Sequence, residues 1–255
     1  MPTALVLIPH PDDEAYSFAA TMGLLSGAGW ECRVECASAG EKGKRHDGGP
    51  VAPADVAAVR KSELGASCRL VGAVPPRFWA LPDGGLAALP SQADRIRSLC
   101  AELAPGLVLS LGADGAYGHP DHVALYRWIA EALEARISPL VTWLSAAFPV
   151  GLFLPQYEKC IGMMGDPPEP PPSAIGTGNF DVAVDIRGVR DAKEASIRAH
   201  RSQLPGGQVD ALFPPGVVRQ LLTVERFVVE CGTAAGLPPL FTRKSRTGLD
   251  PCGFS

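Results

Sequence analysis

The chain has 255 residues, of which 46% are hydrophobic and 20% charged, a composition typical of a folded globular protein. Its 23 basic and 27 acidic residues give a formal net charge of −4, which argues against the basic surface of a nucleic-acid-binding domain. The apolar run at residues 4–8 is too short for a signal-peptide core, and no apolar stretch reaches the length of a membrane span. We therefore expect one cytoplasmic domain, residues 1–255, without a nucleic-acid partner or a membrane span; a homo-oligomer stays open.

The seven cysteines contain no C-x-x-C pair, which argues against a cysteine-based zinc ribbon. Most of them lie in apolar surroundings, so we expect reduced thiols in or near the core.

Strand and helix patterns alternate through the first part of the chain. The predicted strands cover residues 4–8, 33–37, 77–80, 106–111 and 140–144. The predicted helices cover residues 14–26, 55–70, 91–103 (with Ser91 as N-cap) and 120–136. This order predicts an α/β fold with a Rossmann-like, open, mainly parallel sheet and helices on both of its faces.

The second part of the chain has a looser pattern. Residues 181–186 and 225–230 read as strands, and residues 189–202 as a helix. The proline-rich stretch 165–173 fits neither a helix nor an inner strand, so we expect a surface loop there. We expect the tail, residues 242–255, to be poorly ordered.

Two polar clusters follow predicted strands. The sequence is Pro-His-Pro-Asp-Asp-Glu at residues 9–14 and Tyr-Gly-His-Pro-Asp-His at residues 117–122. In open α/β sheets ligands bind outside the carboxyl ends of the strands, so we expect both clusters at one rim. A single Asp at a helix start usually caps that helix, but two such clusters together are hard to explain by capping alone.

The clusters together offer the side chains of a catalytic metal site. Two imidazoles and one carboxylate leave one coordination position open for water, as in catalytic rather than structural zinc sites. A second carboxylate next to that water would serve as general base.

The His-Pro-Asp-Asp-Glu and His-Pro-Asp-His strings resemble those of the LmbE/PIG-L family of zinc-dependent N-acetylglucosaminyl deacetylases. Weaker similarities support the resemblance: Ser-Ala-Gly-Glu-Lys-Gly at 38–43, Arg-Lys-Ser-Glu-Leu at 60–64, Leu-Pro-Asp-Gly at 81–84 and His-Arg-Ser-Gln at 200–203. Pro9 stands where the family more often has Ala.

The resemblance implies a role for each residue of the two clusters. His10, Asp13 and His122 would bind the metal, which we expect to be Zn²⁺, with Fe²⁺ as an alternative. Asp12 would be the base. His119, oriented by Asp121, would polarise the amide carbonyl, and Tyr117 would assist.

The resemblance also implies that Arg60, Asp83 and Glu41 contact the sugar of a small amino-sugar substrate. Arg60 could instead form an ion pair with Glu63 on the same helix. His200 would only anchor its helix. The basic loop at residues 42–46 could meet an anionic aglycone.

The implied function is zinc-dependent removal of acetyl from an N-acetylglucosamine-type glycoside. A metal-dependent amidase acting on a related sugar amide is the first alternative. A non-haem iron oxygenase, whose facial triad also has two His and one carboxylate, and a catalytically silent sugar-binding protein are further alternatives. The chain lacks the Gly-x-Ser-x-Gly elbow of serine hydrolases and a Gly-x-Gly-x-x-Gly after its first strand, which argues against those two classes.

Overall fold

The computed structural model describes residues 1–134, 141–158, 175–213 and 215–243. Within them, eight strands form one sheet in the order β3-β2-β1-β4-β5-β7-β6-β8. In chain order, these strands are β1 Thr3–Ile8, β2 Glu31–Ser38, β3 Arg77–Leu81, β4 Leu107–Ser110, β5 Thr142–Ala146, β6 Val182–Asp185, β7 Val224–Cys231 and β8 Thr242–Arg243.

The sheet has a parallel part and an antiparallel part. Strands β1 to β5 pair in parallel, whereas β7 runs antiparallel to β5 and β6, and β8 antiparallel to β6. The fold-class prediction, an open α/β sheet that is mainly parallel, is confirmed. The antiparallel edge is a detail that the strand patterns did not indicate.

Helices cover both faces of the sheet. They are α1 Asp13–Ser17, α2 Ala19–Gly27, α3 Pro53–Leu70, α4 Ala93–Leu103, α5 Gly115–Gly118, α6 Pro120–Glu134, α7 Arg190–Ala199 and α8 Val217–Leu221. On β1, Val6 and Ile8 belong to one buried cluster, whereas Leu5 and Leu7 belong to another. The first cluster includes residues of α2, α3 and α7, and the second includes residues of α4 and α6. This two-sided burial explains why β1 is apolar throughout.

Three predicted helices differ in their details. The helix predicted at 14–26 is broken at Phe18 into α1 and α2, and the helix predicted at 189–202 ends at Ala199 and continues as a 3₁₀ turn, Arg201–Gln203. The helix at 91–103 begins at Ala93 with Gln92 as N-cap, although the Ser91 hydroxyl still accepts a hydrogen bond from the Ala93 amide at 3.2 Å.

Some predictions fall outside the described residues. These are the proline-rich loop at 165–173, the tail beyond Arg243, the end of the helix predicted to reach 136, and Cys160 and Cys252. Of the cysteines that are described, four are buried free thiols and Cys231 is an exposed one. In the described ranges, no helix combines the length and the apolar character that crossing a membrane requires.

Candidate active site

The two polar clusters meet at the carboxyl edge of the parallel strands. Strand β1 pairs directly with β4, so the segments that follow both strands leave the sheet side by side. His10 lies two residues beyond β1, and His122 lies in the first turn of α6. The facing ring nitrogens, His10 Nδ1 and His122 Nε2, are 3.3 Å apart.

His10, Asp13 and His122 form a triangle of candidate metal ligands at this point. Asp13 Oδ2 lies 3.5 Å from His10 Nδ1, and Asp13 Oδ1 lies 3.6 Å from His122 Nε2. Zinc bonds to nitrogen and oxygen are about 2.0–2.2 Å long, which separates two tetrahedral ligand atoms by about 3.3–3.6 Å. The triangle therefore has the dimensions of a metal-binding site.

The remaining ring nitrogens fix the orientation of both imidazoles. His10 Nε2 is 3.1 Å from Asp121 Oδ2 and 3.2 Å from Asp83 Oδ1, and His122 Nδ1 is 3.1 Å from the Gly115 carbonyl oxygen. Because a carboxylate and a carbonyl can only accept, these nitrogens carry the hydrogens. The free lone pairs are then on His10 Nδ1 and His122 Nε2, the two atoms of the triangle, as in metal sites whose histidines are oriented by outer carboxylates.

The surrounding charge also favours a cation. Burial by itself disfavours the charged form of His10, but hydrogen bonds to three carboxylates outweigh that effect and raise its pKa well above the usual value. Burial lowers the pKa of His122 to about 3, so this imidazole is neutral at physiological pH. The residues present thus fit a divalent metal.

Asp12 lies beside the triangle in a strained conformation. Its φ of 124° is in the region that favours glycine. The Glu14 carboxylate accepts a hydrogen bond from the Asp12 amide at 3.1 Å, and Arg60 Nη2 lies 3.0 Å from Asp12 Oδ2. Burial raises the pKa of Asp12 to about 6, an effect that the positive charge of Arg60 opposes. The strained backbone conformation is retained because Glu14 holds the Asp12 amide and Arg60 holds the Asp12 carboxylate.

Arg60 pairs with Asp12 and not with Glu63 of its own helix. Its guanidinium donates to the carbonyl oxygens of Gly40 (2.9 Å) and Pro11. A Cβ at Gly40, whose φ is +66°, would lie 2.2 Å from the guanidinium, which explains the glycine there. The Glu63 carboxylate instead accepts hydrogen bonds from the Ser202 amide and hydroxyl, so the alternative of an Arg60–Glu63 ion pair is wrong.

Glu14 lies beside the candidate site, although the sequence analysis assigned it no role. It is fully buried, and its Oε1 accepts hydrogen bonds from the Ser67 hydroxyl (2.6 Å) and from His200 Nε2 (2.7 Å). His200 therefore anchors the end of α7 to the segment that carries Asp12. The signal was available, since Glu14 ends the His-Pro-Asp-Asp-Glu string.

The expected partner of His119 is not the one that the structure shows. The Asp121 carboxylate accepts hydrogen bonds from His10 Nε2, from the Gly84 amide (2.7 Å) and from the Leu86 amide (2.9 Å), and so it orients His10. It is the Asp121 backbone amide that contacts His119, donating to Nδ1 at 3.2 Å. The prediction that the Asp121 side chain orients His119 is wrong, because three other donors surround that carboxylate.

This contact sets the tautomer of His119. Since Nδ1 accepts a hydrogen bond, the neutral ring carries its proton on Nε2. Burial lowers the pKa of His119 to about 4, which keeps the ring neutral. Nitrogens of His10, His119 and His122 all lie within 4.8 Å of one another, so His119 faces the candidate metal site.

Tyr117 stands on the short helical turn α5, next to these rings. Its ring centroid lies 5.8 Å from that of His119 and 5.3 Å from that of His122. Asp114 shapes this turn by accepting hydrogen bonds from the amides of Ala116 (3.1 Å) and Gly176 (3.0 Å). Asp114 lies in no sequence motif that would have identified it as part of the site.

Two of the residues expected to contact the sugar, Glu41 and Asp83, are hydrogen-bonded to each other. Glu41 accepts a hydrogen bond from the Asp83 amide at 2.8 Å, and Asp83 accepts one from the Lys42 amide at 2.8 Å in addition to its contact with His10. In the basic loop, Arg45 is paired with Asp47 at 2.5 Å, whereas Lys42 is exposed and lines the cleft. Asp83 is buried, so in this geometry it positions His10 first, and its contact with a sugar stays a prediction.

A cleft of about 390 Å³ opens over the metal site. Its polar lining residues are His10, Asp12, Asp13, Lys42, Arg60, Asp83, His119 and His122. Its aromatic and aliphatic lining residues include Tyr117, Phe148, Phe153, Leu212 and Phe213. The cleft can therefore hold a small molecule with its reacting group at the polar residues.

Comparison with known proteins places these features in a family. The model of the family described as "PIG-L: GlcNAc-PI de-N-acetylase" matches residues 5–133, just over half of the chain. The 1D-myo-inositol 2-acetamido-2-deoxy-alpha-D-glucopyranoside deacetylase of Rhodococcus erythropolis is 28% identical over 90% of this chain and 91% of its own length.

Solved structures share the fold. The N,N′-diacetylchitobiose deacetylase of Pyrococcus horikoshii aligns with a TM-score of 0.61 and 22% identity over 89% of this chain and 83% of that one. The 4-carboxy-2-hydroxymuconate hydratase of Pseudomonas putida aligns with a TM-score of 0.65 and 19% identity over 91% of this chain and 98% of that one. Because a deacetylase and a hydratase share this fold, the reaction must be argued from the site.

Proposed function

Because this chain belongs to the PIG-L (GlcNAc-PI de-N-acetylase) family, we propose that it hydrolyses the N-acetyl group of an N-acetylglucosamine-type glycoside to acetate and a free amine. The observation that carries the proposal is the triangle of His10, Asp13 and His122 with the Asp12 carboxylate beside it. The family relatives that are named as deacetylases catalyse this class of reaction, the hydrolysis of an amide C–N bond.

His10, Asp13 and His122 would hold the metal, for which two nitrogens and one carboxylate oxygen fit Zn²⁺ and also Fe²⁺. When bound, such an ion supplies Lewis acidity that polarises an amide carbonyl and makes water a nucleophile near neutral pH. The chain's own residues provide the proton transfers and the orientation of the substrate.

Asp12 accepts the proton of the attacking water. Arg60 holds one carboxylate oxygen at 3.0 Å, which fixes the side chain and leaves the other oxygen for the water. The same carboxylic acid then protonates the leaving nitrogen, so one water is consumed and one acetate and one amine are formed. We assign this second proton transfer to Asp12 because the Nε2–H of His119 donates to the oxygen of the tetrahedral intermediate and not to the leaving nitrogen.

His119 donates its Nε2–H to the oxygen of the tetrahedral intermediate. Its Nδ1 is occupied by the Asp121 amide, which keeps the proton on Nε2 without an ionised ring. Tyr117 packs against the rings of His119 and His122 and lines the same cleft, where its ring limits how the amide can enter.

The test is hydrolysis of methyl N-acetyl-β-D-glucosaminide by the zinc-loaded protein, with acetate and amine measured separately. We expect the two products in equal amounts. In ¹⁸O-water, a single turnover should place the label in acetate and none in the protein. A labelled Asp12 or Asp13, or a trapped acyl-enzyme, would contradict direct attack by water.

The same assay separates the other readings. Amine release from a sugar that carries a different N-acyl group, without release from the N-acetyl glycoside, would indicate the amidase variant. Oxygen consumption with Fe²⁺ would indicate an oxygenase. Binding of the glycoside without amine release would indicate a silent binding protein.

A further inference from the structure

The cleft that contains the carboxylates is also lined by a group of aromatic and aliphatic residues. We define the aromatic wall as Tyr117, Phe148, Phe153, Leu212 and Phe213, all of which line the cleft. The sequence motifs do not include the last four of these residues, and the deacetylation steps above do not use them.

The rings of the aromatic wall form a continuous series that starts beside the candidate metal ligands. Starting at His122, consecutive ring centroids lie 5.3 Å (to Tyr117), 6.1 Å (Tyr117 to Phe153) and 5.4 Å (Phe153 to Phe213) apart. These spacings are those of rings in contact, so the apolar surface is continuous. A molecule whose amide lies at His119 would have this surface beside it in the same cleft.

The front of the aromatic wall is accessible, and its back is held in the core. Tyr117, Leu212 and Phe213 are half-buried, whereas Phe148 and Phe153 are buried and pack edge to face at 4.8 Å. The Phe213 ring also packs against Tyr16 of α1 at 4.9 Å. A partly exposed apolar surface inside a cleft favours binding of an apolar group, because leaving it in water has a free-energy cost that a ligand can relieve.

We propose that the substrate carries an apolar alkyl or aryl substituent that lies on the aromatic wall, and not a further polyhydroxylated ring. This rests on the proposed deacetylase function and specifies its substrate class. Hydroxyl groups pressed against Leu212 and the phenylalanines would lose water without gaining hydrogen-bond partners. The substituent is either the aglycone or an acyl chain longer than acetyl, since both extend from the reacting amino sugar.

Two homologous series distinguish these sources. One series is N-acetylglucosamine as its methyl, butyl and octyl β-glycosides, and the other is the methyl glycoside with N-acetyl, N-butyryl and N-hexanoyl groups. With the zinc-loaded protein, we expect kcat/KM to rise about ten-fold for every two methylenes that the aromatic wall covers, in one series only. A rise in the glycoside series identifies the aglycone, and a rise in the acyl series identifies the acyl group.

Product binding gives a readout that does not depend on turnover. The octyl and methyl glucosaminides, which carry the free amine, and hexanoate and acetate are titrated calorimetrically. The longer member of the preferred pair should bind more tightly and with a negative heat-capacity change.

Substitutions in the aromatic wall test its location. Phe213→Ser and, as a second variant, Leu212→Gln should each lower the ratio of long-chain to methyl kcat/KM about ten-fold. Leu70→Ser is the matched control, because Leu70 is 53% exposed at the end of α3 and does not line the cleft. An unchanged ratio in both wall variants would overturn the proposal.

The outcomes separate the two proposals. Acetate release from the methyl glycoside with no gain in either series, or a preference for N,N′-diacetylchitobiose over the octyl glycoside, would refute the apolar substituent and leave deacetylation intact. No turnover, together with tighter binding of a longer product, would refute deacetylation and support the aromatic wall. No turnover and no such binding would refute both.

Discussion

The candidate base Asp12 shows how one residue depends on several segments of the chain. Its left-handed backbone is held through its amide by Glu14 and through its carboxylate by Arg60. The Arg60 guanidinium in turn donates hydrogen bonds to the carbonyl oxygens of Gly40 and Pro11. Asp12 thus occupies a fixed position beside the expected metal ligands without being one of the triangle.

Asp12→Asn should separate proton transfer from metal binding. The amide keeps the shape of the side chain but cannot accept a proton, so we expect kcat to fall by about 10²–10⁴. Zinc content, measured by elemental analysis, should be that of the wild type. Asp94→Asn is the matched control, since that carboxylate is exposed on α4, and its activity should not change. Near-normal turnover of zinc-replete Asp12→Asn would remove Asp12 from the mechanism.

His119→Ala tests whether this ring donates to the oxyanion or binds the metal. We expect kcat to fall by about 10²–10³, as for the loss of one oxyanion donor. Zinc should stay bound, whereas His122→Ala should lose zinc and activity together, since His122 is one of the three expected ligands. If His119→Ala empties the site, His119 is a ligand and the division of roles between the two histidines is reversed.

Motifs predicted which residues gather at the site better than they predicted how those residues pair. The strings at 9–14 and 117–122 were sufficient to place His10 and His122 at one rim, because both follow neighbouring parallel strands. The partner of the Asp121 carboxylate was mispredicted. Its hydrogen bonds come from His10, Gly84 and Leu86, which lie 111, 37 and 35 residues away, and sequence proximity favoured His119 instead.

At the level of secondary-structure elements, the break at Phe18 has a distant cause. The carboxylate of Glu225 on β7 accepts hydrogen bonds from the amides of Ala20 (3.2 Å) and Thr21 (2.8 Å), in the first turn of α2. A carboxylate at this point satisfies free amides and interacts favourably with the helix dipole. The helical pattern of residues 14–26 carries no sign of this cap, because Glu225 is 205 residues from Ala20.

The same carboxylate joins α2 to α7 through a buried ion pair. Lys193 Nζ lies 2.7 Å from Glu225 Oε1, and both side chains are almost completely buried. Lys193→Met should therefore leave an uncompensated negative charge in the core and lower the free energy of unfolding by about 3–5 kcal/mol. Urea denaturation followed by circular dichroism measures this loss.

Two variants control this experiment. Adding Glu225→Gln to Lys193→Met removes the orphaned charge and should recover a large part of the loss. Arg198→Met breaks the exposed pair with Glu194 on α7 and should cost only about 0.3–0.5 kcal/mol. If Lys193→Met costs no more than Arg198→Met, then the buried pair does not hold α2 and α7 together.

On the scale of the whole molecule, the sheet order explains why the second part of the chain was harder to read. Strand β7 lies between β5 and β6, so β6 has no neighbour in the sheet until β7, about 40 residues later, is in place. The apolar runs of β6 and β7 revealed strands but not their direction. The parallel half was predictable because β1 to β4 are each followed by a helical segment that connects to a further parallel strand.

Metal binding should stabilise the molecule as a whole, because its ligands come from segments that follow two different strands. His10 and Asp13 follow β1, and His122 follows β4, so the ion would bind only the folded chain. At a zinc concentration of about 100 times Kd, the free energy of unfolding should rise by about 2.7 kcal/mol. For a protein of this size, that corresponds to an increase in Tm of about 5–10 °C, measured by differential scanning calorimetry with and without a chelator.

His10→Ala, Asp13→Ala and His122→Ala should each abolish most of this zinc-dependent shift, whereas Asp12→Asn and His119→Ala should retain it. The contrast isolates the ligand triangle from its neighbours, since all five residues line the same cleft. A full shift in the three ligand variants would place the metal elsewhere. A full shift in Asp13→Ala and His122→Ala, with the shift lost in His10→Ala, would indicate instead the group of His10, Asp83 and Asp121, whose ligand atoms also lie within 4.8 Å of one another.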